Sequence, residues 1–293
     1  MSAAQEIEQE IQTRMISLAN YMMQNGYGCY TIKDTKLPLM FNFEVKHNDT
    51  HNLPIPPILL ATLPKSASVY IWTYLNMELG IQQMRVSDSK FTGERIMEGS
   101  IEELSRGRKI AQGHMPASDE NLKLIDKYLG RVVVNVRDPR QAILSWVHFC
   151  KSLFEKDGKE NYKALSPTGD RSYFDWPITK QIDFFLDNKY HEYVNWIEQW
   201  IDAEINPNFV SRIHFAQHRD LNENPQAYFE KILTFYGIDK SMLKSKAGKP
   251  KQGKLHFRKG LTDEWRSIFN PKQIEKVNQL MSKRMMEKFG WVA

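Results

Sequence analysis

The sequence predicts a single α/β domain in which helices flank a mainly parallel central sheet. Two largely apolar runs, Ile58–Ala61 and Arg131–Val136, are typical of strands buried on both faces. Each run is followed by a turn and then by apolar residues at helical spacing, and this alternation continues along the chain. We find no internal repeat and no linker poor in hydrophobic residues, so residues 1–293 are expected to form one domain.

Composition limits the class of protein. The 293 residues are 41% hydrophobic and 26% charged, and the net charge of +5 suits an anionic ligand better than a nucleic acid. Cys29 and Cys150 form no spacing pattern, which favours a reducing compartment and argues against a zinc site. Met1–Glu10 is polar and acidic, and no run approaches the ~18 apolar residues of a membrane span. We therefore expect a cytoplasmic protein that has no membrane partner.

The centre of the prediction is the stretch from Ile58 to Leu79. An apolar strand leads into a short turn that carries Lys65 between hydroxyl-bearing residues, and apolar side chains then return at helical spacing until Gly80. The first turn of a helix leaves backbone N–H groups without acceptors, and its dipole is positive at that end. A lysine beside such a terminus predicts a site for a phosphate-like anion.

The remaining elements follow from periodicity and from turn residues. Residues 5–24 predict an amphipathic helix ended by Asn25-Gly26, so that residues 1–26 form an N-terminal helical segment, and the aromatic, proline-rich residues 27–57 predict a lid or binding wall. Residues 81–109 show little periodicity. The further predicted elements are a strand from Lys109 that ends at His114, a helix capped by Asp119, a helix entered at Asp138-Pro139, a loop over 151–176, a helical pair over Ile178–Ala203 with Trp196 and Trp200 in the core, a strand over Phe209–Ala216, a helix from Asn224-Pro225 to Gly237, a basic loop over Lys244–Lys259, and a last helix from Asn270-Pro271.

Ligands of parallel sheets bind at the carboxyl ends of the strands. The lysine turn, His114 and Arg137 each follow a predicted strand, so we expect them at one edge of the sheet.

The lysine turn is not a Walker A loop. That motif needs a glycine immediately before the lysine, where this chain has Pro64, and another where it has Leu59. No strand ends in an aspartate that would hold Mg²⁺. Two alternatives stay open from the residues alone: a P-loop kinase that uses Mg-ATP, and a non-enzymatic basic protein that binds nucleic acid.

Four ordered motifs resemble those of the cytosolic-type sulfotransferases. They are Lys65–Val69, His114 with Pro116, Arg137 with Ser145, and Arg258–Gly260 with Trp265. The resemblance spans residues 58–270. It implies a fold related to nucleotide kinases and 3′-phosphoadenosine-5′-phosphosulfate (PAPS) as the sulfuryl donor. The implied nucleotide product is 3′-phosphoadenosine-5′-phosphate (PAP), and no metal is required.

The resemblance also implies roles for single residues. Lys65 would stabilise the departing phosphate, His114 would be the general base, and Ser145 would join them at the catalytic centre. The implied donor-binding residues are Lys65, Ser66, Ala67, Ser68 and Val69 around the 5′-phosphate, Tyr70 and His218 near adenine, and Arg137, Ser145, Arg258, Lys259 and Gly260 around the 3′-phosphate.

The chain departs from the family pattern at several places, one of which is His218-Arg219-Asp220-Leu221, which resembles a Tyr-Glu-Asp-Leu segment of the family. Ala67-Ser68-Val69 stands where Gly-Thr-Thr is usual, Gln112 replaces a common lysine, and Tyr70 replaces a tryptophan. These departures suggest a microbial enzyme that tailors a secondary metabolite.

The acceptor is expected to be a small, partly apolar molecule with a hydroxyl or an amine, because aromatic side chains recur in the predicted loops. The candidate acceptor-binding residues are Tyr30, Phe41, Phe43, His114, Phe149, Phe154, Phe174 and Trp176. The sequence carries no signal for an oligomeric state.

Overall fold

A computed structural model describes residues 55–87, 94–157, 166–248 and 262–292. They belong to one compact unit that covers residues 54–293. The predicted N-terminal helix and nearly all of the predicted lid lie outside the described residues. No helix in the described ranges has the length and apolar character needed to cross a bilayer.

The centre of the unit is a five-stranded sheet, and every neighbouring pair of strands is parallel. The strand order is β2-β3-β1-β4-β5. This confirms the predicted α/β class and its parallel sheet. The strands are β1 (Ile58–Thr62), β2 (Gln82–Met84), β3 (Lys109–Gly113), β4 (Arg131–Val136) and β5 (Arg212–Gln217).

Helices connect the strands and cover the sheet. The described helices are α1 (Ser68–Leu79), α2 (Glu98–Ser105), α3 (Asp119–Tyr128), α4 (Pro139–Asp157), α5 (Ile178–Asn188), α6 (Tyr190–Ile205), α7 (His218–Glu223), α8 (Pro225–Tyr236), α9 (Trp265–Ile268), α10 (Pro271–Leu280) and α11 (Lys283–Phe289). Short 3₁₀ turns cover Arg171–Asp175 and Lys240–Met242.

The apolar run of β1 is buried on both faces. Leu59 and Ala61 pack into one hydrophobic cluster, whereas Ile58 and Leu60 pack into the other. Alternate side chains of a strand point to opposite faces, so a central strand between two helical layers must be apolar throughout. This is why the run shows no polar alternation in the sequence.

Strand register brings the predicted site residues to one edge. Ala61 pairs with Gly113, and Thr62 pairs with Asn135. His114 therefore emerges next to the end of β1, and Arg137 emerges on the other side of it. The shared edge predicted from the sequence is confirmed.

Several predicted boundaries are wrong. Helix α4 runs to Asp157 instead of ending before residue 151, and Phe154 in this extension stacks on Phe174 with ring centres 3.9 Å apart. Ser118 caps α3, and Asp119 is its first residue. Strand β5 is shifted toward the C-terminus and covers Arg212–Gln217.

Five of the described strands and α-helices were not predicted, and two of them are the short helices α7 and α9. Strand β2 and helix α2 lie within the stretch that shows little periodicity, because a three-residue edge strand and an eight-residue helix are too short to display one. Helix α11 follows the helix that was predicted to be the last, and its Ser282 cap accepts a hydrogen bond from the Met285 N–H. The prediction that Trp196 and Trp200 belong to the core is confirmed.

The Tyr236 hydroxyl ties α8 to the sheet. It accepts a hydrogen bond from the Leu59 N–H at 3.0 Å and donates to the Leu59 carbonyl at 2.9 Å. Tyr236→Phe leaves a buried N–H and a buried carbonyl with fewer partners, so we expect the free energy of unfolding to fall by about 1–3 kcal/mol. Urea denaturation measures it. The control is Tyr74→Phe, whose hydroxyl bonds the Ser245 carbonyl in an exposed position and should matter less. Equal losses in the two variants would contradict the buried role.

Candidate active site

The loop after β1 has an unusual backbone. Lys65 and Ala67 both adopt positive φ, at 66° and 68°. Residues with a side chain avoid this left-handed region because Cβ approaches the following carbonyl oxygen. The loop therefore needs an external support that holds it in this conformation.

Strand β4 supplies the support. The Asn135 amide donates to the Ser66 carbonyl at 2.7 Å and to the Ser66 hydroxyl at 2.9 Å. Arg137 donates from Nη1 to the Lys65 carbonyl at 2.7 Å. The Tyr228 hydroxyl donates to Asn135 Oδ1 at 2.8 Å and fixes the amide in turn. The loop is thereby attached to the neighbouring strand through its backbone.

Helix α1 begins directly after this loop. Its N-cap is Ala67, whose methyl side chain cannot make a capping hydrogen bond. The N–H groups of an uncapped first turn have no intrahelical acceptor and attract an anion. Ser66 is an exception among the predicted donors, because its N–H and its hydroxyl both bond the Leu63 carbonyl. Ser66 therefore shapes the loop.

Lys65 lies in the loop that leads into this helix terminus. Its Nζ stands 3.8 Å from the centre of the Phe149 ring, which is a cation–π contact. Burial, followed by the nearby charge of Arg137, lowers the pKa of Lys65 to about 8. The ammonium is thus charged at neutral pH, and a bound anion would stabilise it further.

His114 follows β3 and turns back toward the end of β1. Its Nδ1 lies 2.6 Å from the Thr62 carbonyl oxygen. A carbonyl only accepts hydrogen bonds, so the neutral ring carries its proton on Nδ1, and Nε2 is the basic nitrogen. Burial is the largest cause that lowers the pKa of His114 below its usual value, which keeps the ring neutral at pH 7.

The backbone around His114 is also fixed. Its N–H donates to the Glu94 carboxylate at 2.5 Å, and its carbonyl accepts from Trp196 Nε1 at 2.9 Å. A Cβ at Gly113 would lie 2.6 Å from the same carboxylate and 2.6 Å from the Met115 methyl group, so a larger residue would require these side chains to move. The Gln112 amide donates to the Thr62 hydroxyl at 2.8 Å, so the residue that replaces the usual lysine supports Thr62.

A cavity of about 190 Å³ lies at the carboxyl ends of β4 and β5. Arg137 and His218 both line it, so these two predicted donor-binding residues are brought together. Burial lowers the pKa of His218 well below its usual value, and its ring is neutral.

Other predicted residues occupy distinct positions. Tyr70 is half-buried, its hydroxyl bonds the Gly248 carbonyl, and burial raises its pKa to about 12. Ser145 is half-buried in the second turn of α4. Among the acceptor-binding candidates, Phe149 contacts Lys65, whereas Phe154 and Trp176 belong to an aromatic cluster around Tyr173.

Six candidates lie outside the described residues. They are Tyr30, Phe41 and Phe43 of the predicted lid, and Arg258, Lys259 and Gly260 of the basic loop.

Sequence reasoning missed Asn135, Thr62 and Glu94. Asn135 was detectable as the polar side chain among the four valines of β4, because a buried amide in a central strand needs partners. Thr62 and Glu94 carry no comparable signal, because their contacts with His114 join residues that are 52 and 20 positions apart in the sequence.

Comparisons with known proteins give the class. A model described as "Sulfotransferase domain" matches residues 55–289, so the chain belongs to the sulfotransferase family and is a transferase that moves sulfuryl groups. This confirms the resemblance found in the four motifs. No curated protein matches the chain.

Solved structures of sulfotransferases are similar to the chain. A mouse sulfotransferase, SULT7A1, crystallised with PAP, matches with a TM-score of 0.53 and 19% identity, over 81% of this chain and 89% of that chain. A sulfotransferase domain from the curacin biosynthetic pathway matches with a TM-score of 0.45 and 11% identity, over 82% and 99%. A sulfotransferase from Alicyclobacillus acidocaldarius has a TM-score of 0.43 and 9% identity, over 78% and 96%.

The positive φ of Ala67 predicts that a glycine at this position increases the free energy of unfolding. Glycine adopts this conformation without strain, so Ala67→Gly should raise the free energy of unfolding by about 1 kcal/mol. Ala227→Gly in α8, where the backbone is helical, should lower it by about 1 kcal/mol. Urea denaturation of both variants provides the comparison. A loss of stability in Ala67→Gly would show that the loop does not hold this backbone.

Proposed function

We propose that the chain transfers the sulfuryl group of PAPS to a hydroxyl or an amine of a small-molecule acceptor, with His114 as the general base. The observation that carries the proposal is the Nδ1 contact with the Thr62 carbonyl, which leaves Nε2 as a fixed proton acceptor at the sheet edge that holds Lys65. A neutral imidazole in this tautomer suits an acceptor that must lose its proton during attack.

The donor set fits a nucleotide that has several anionic groups. An uncapped helix terminus, the Lys65 ammonium and the Arg137 guanidinium lie around the lysine loop, and all three favour phosphate oxygens. When bound, PAPS supplies an activated sulfuryl group on a phosphate oxygen. Ala67, Ser68 and Val69 would hold the 5′-phosphate through their N–H groups.

In the proposed transfer, His114 accepts a proton and Lys65 stabilises the negative charge that develops on the leaving group. The acceptor oxygen or nitrogen forms a bond to sulfur as the bond from sulfur to the phosphate oxygen breaks, and the acceptor proton passes to His114 Nε2. The electron pair of the broken bond remains on the phosphate oxygen, where the Lys65 ammonium and the N–H groups stabilise it. Arg137 and Ser145 would bind the 3′-phosphate. Arg258, Lys259 and Gly260 would bind the same phosphate.

The acceptor side of the proposal rests on Phe149 and the neighbouring aromatic cluster. The Tyr173 hydroxyl in that cluster is buried and has no hydrogen-bond partner among the described residues, which suits an acceptor with one polar group. Together with the departures at Gln112 and Ala67, this supports a tailoring enzyme for a microbial secondary metabolite. We place the reaction in the cytoplasm.

The role of His114 can be separated from donor binding. His114→Ala should lower kcat by about 10²- to 10⁴-fold, because the proton acceptor is lost, while the affinity for PAP changes little. Turnover with labelled PAPS and calorimetric titration with PAP measure the two quantities. His191→Ala, on the exposed face of α6, should change neither. A His114→Ala enzyme that turns over at the wild-type rate would remove His114 from the mechanism.

The pH profile tests Lys65. We expect kcat/KM to rise with pH as His114 loses its proton below 6.5, and to fall as Lys65 loses its charge near its pKa of about 8. Lys65→Arg keeps a positive charge at alkaline pH, so it should lower the rate and abolish the alkaline fall. If the alkaline fall is the same in both enzymes, a group other than Lys65 causes it.

A further inference from the structure

The cavity at the ends of β4 and β5 has an excess of positive charge. Three guanidinium groups line it: Arg137 from the sheet edge, Arg219 from α7 and Arg266 from α9. Two carboxylates, Asp138 and Asp263, also line it. The neutral ring of His218 adds no charge.

The carboxylates do not balance the three arginines. Asp138 is paired with Arg140, which donates to it from Nη2 at 2.7 Å and from Nε at 2.9 Å. Asp263 lies 3.7 Å from Arg266, a longer contact. Arg266 also donates to the Val292 carbonyl at 2.7 Å. Among the described residues, both carboxylates that line the cavity thus contact other arginines, and neither pairs with Arg219.

Arg219 has no counterion among the residues that the structure describes. Its half-buried guanidinium makes no hydrogen bond and no ion pair with any residue that the structure describes. Its terminal nitrogens approach Gly290, where a Cβ would lie 3.7 and 3.9 Å away. A partly desolvated guanidinium is stabilised by an anion that accepts from two of its nitrogens.

A second polar group in the cavity, the side-chain carbonyl of Gln217, needs a hydrogen-bond donor. Gln217 Oε1 is buried and has no hydrogen-bond partner among the described residues. A buried carbonyl oxygen needs a donor. A ligand that satisfies both residues must present an anion to Arg219 and an N–H or O–H to Gln217. A phosphorylated ribose has both, because its phosphate is an anion and its free hydroxyl is a donor.

We propose that Arg219 is a further donor-binding residue, which contacts the phosphate on the 3′ oxygen of the ribose together with Arg137. The inference rests on the proposed use of PAPS. It concerns a residue at which this chain differs from the family pattern, because His218-Arg219-Asp220-Leu221 corresponds to a Tyr-Glu-Asp-Leu segment. Arginine in place of glutamate reverses the charge at this edge of the cavity and gives the site a cation of its own for the nucleotide.

The test compares nucleotides that differ only in the 3′-phosphate. The full chain is titrated with PAP and with 5′-AMP by calorimetry, as wild type and as Arg219→Gln. We expect the variant to lose PAP affinity by at least about tenfold, as one charge-assisted hydrogen-bonded contact requires, while its 5′-AMP affinity is unchanged. Arg219→Lys keeps the charge but not the fork of donors, and should recover part of the loss.

Arg212→Gln is the matched control, because Arg212 lies exposed at the other end of β5. It should leave both affinities unchanged. The proposal is overturned if Arg219→Gln binds PAP as tightly as wild type, or if it loses PAP and 5′-AMP affinity equally. Inorganic phosphate is titrated as a third probe, and the proposal is also overturned if only its binding weakens, since the cavity would then hold a free anion. A wild-type chain that binds neither nucleotide would instead reject the proposed function itself.

Discussion

The site depends on the attachment of the lysine loop to β4. Asn135 and Arg137 donate to consecutive carbonyl groups, those of Ser66 and Lys65. These bonds hold two residues with side chains at positive φ, each of which costs about 1–2 kcal/mol. Because the loop is fixed through its backbone, the side chain of Lys65 and the first turn of α1 keep their relative positions. An anion that binds there meets donors that are already ordered.

Arg137 links two parts of the edge. It donates to the lysine loop from Nη1, and it also lines the cavity with His218 and Arg219. A nucleotide with anions at both ends of its ribose needs positive groups at two separated places, and the parallel sheet provides them at the ends of adjacent strands. On the other side of β1, the Thr62 carbonyl orients His114. The end of β1 thus lies between His114, the proposed base, and Arg137, a proposed phosphate ligand.

Much of this arrangement could be predicted from the sequence. The run from Ile58 to Ala61, the lysine turn and the apolar residues of α1 are local signals, and each was read correctly. His114 and Arg137 could be placed because parallel strands end at a common edge. The motif order then gave the family, which the family model confirms.

The rest depends on tertiary contacts that no local pattern encodes. The extension of α4 to Asp157 accompanies a stack of Phe154 on Phe174, a residue outside the helix. The support of the lysine loop by Asn135 joins residues 69 positions apart. The guanidinium of Arg219, which has no partner in the described part of the chain, becomes informative only when α7, α9 and the C-terminal segment are seen to line the same cavity.

A crystal structure of the chain with PAP would test the central claim most directly. The 5′-phosphate should accept hydrogen bonds from the N–H groups of Ala67, Ser68 and Val69 and lie within reach of Lys65 Nζ, with Lys65 and Ala67 still at positive φ. A nucleotide bound away from this loop, or a loop that changes its backbone conformation to bind, would contradict the view that the lysine loop and the first turn of α1 form an anion-binding site that is ordered before the ligand binds.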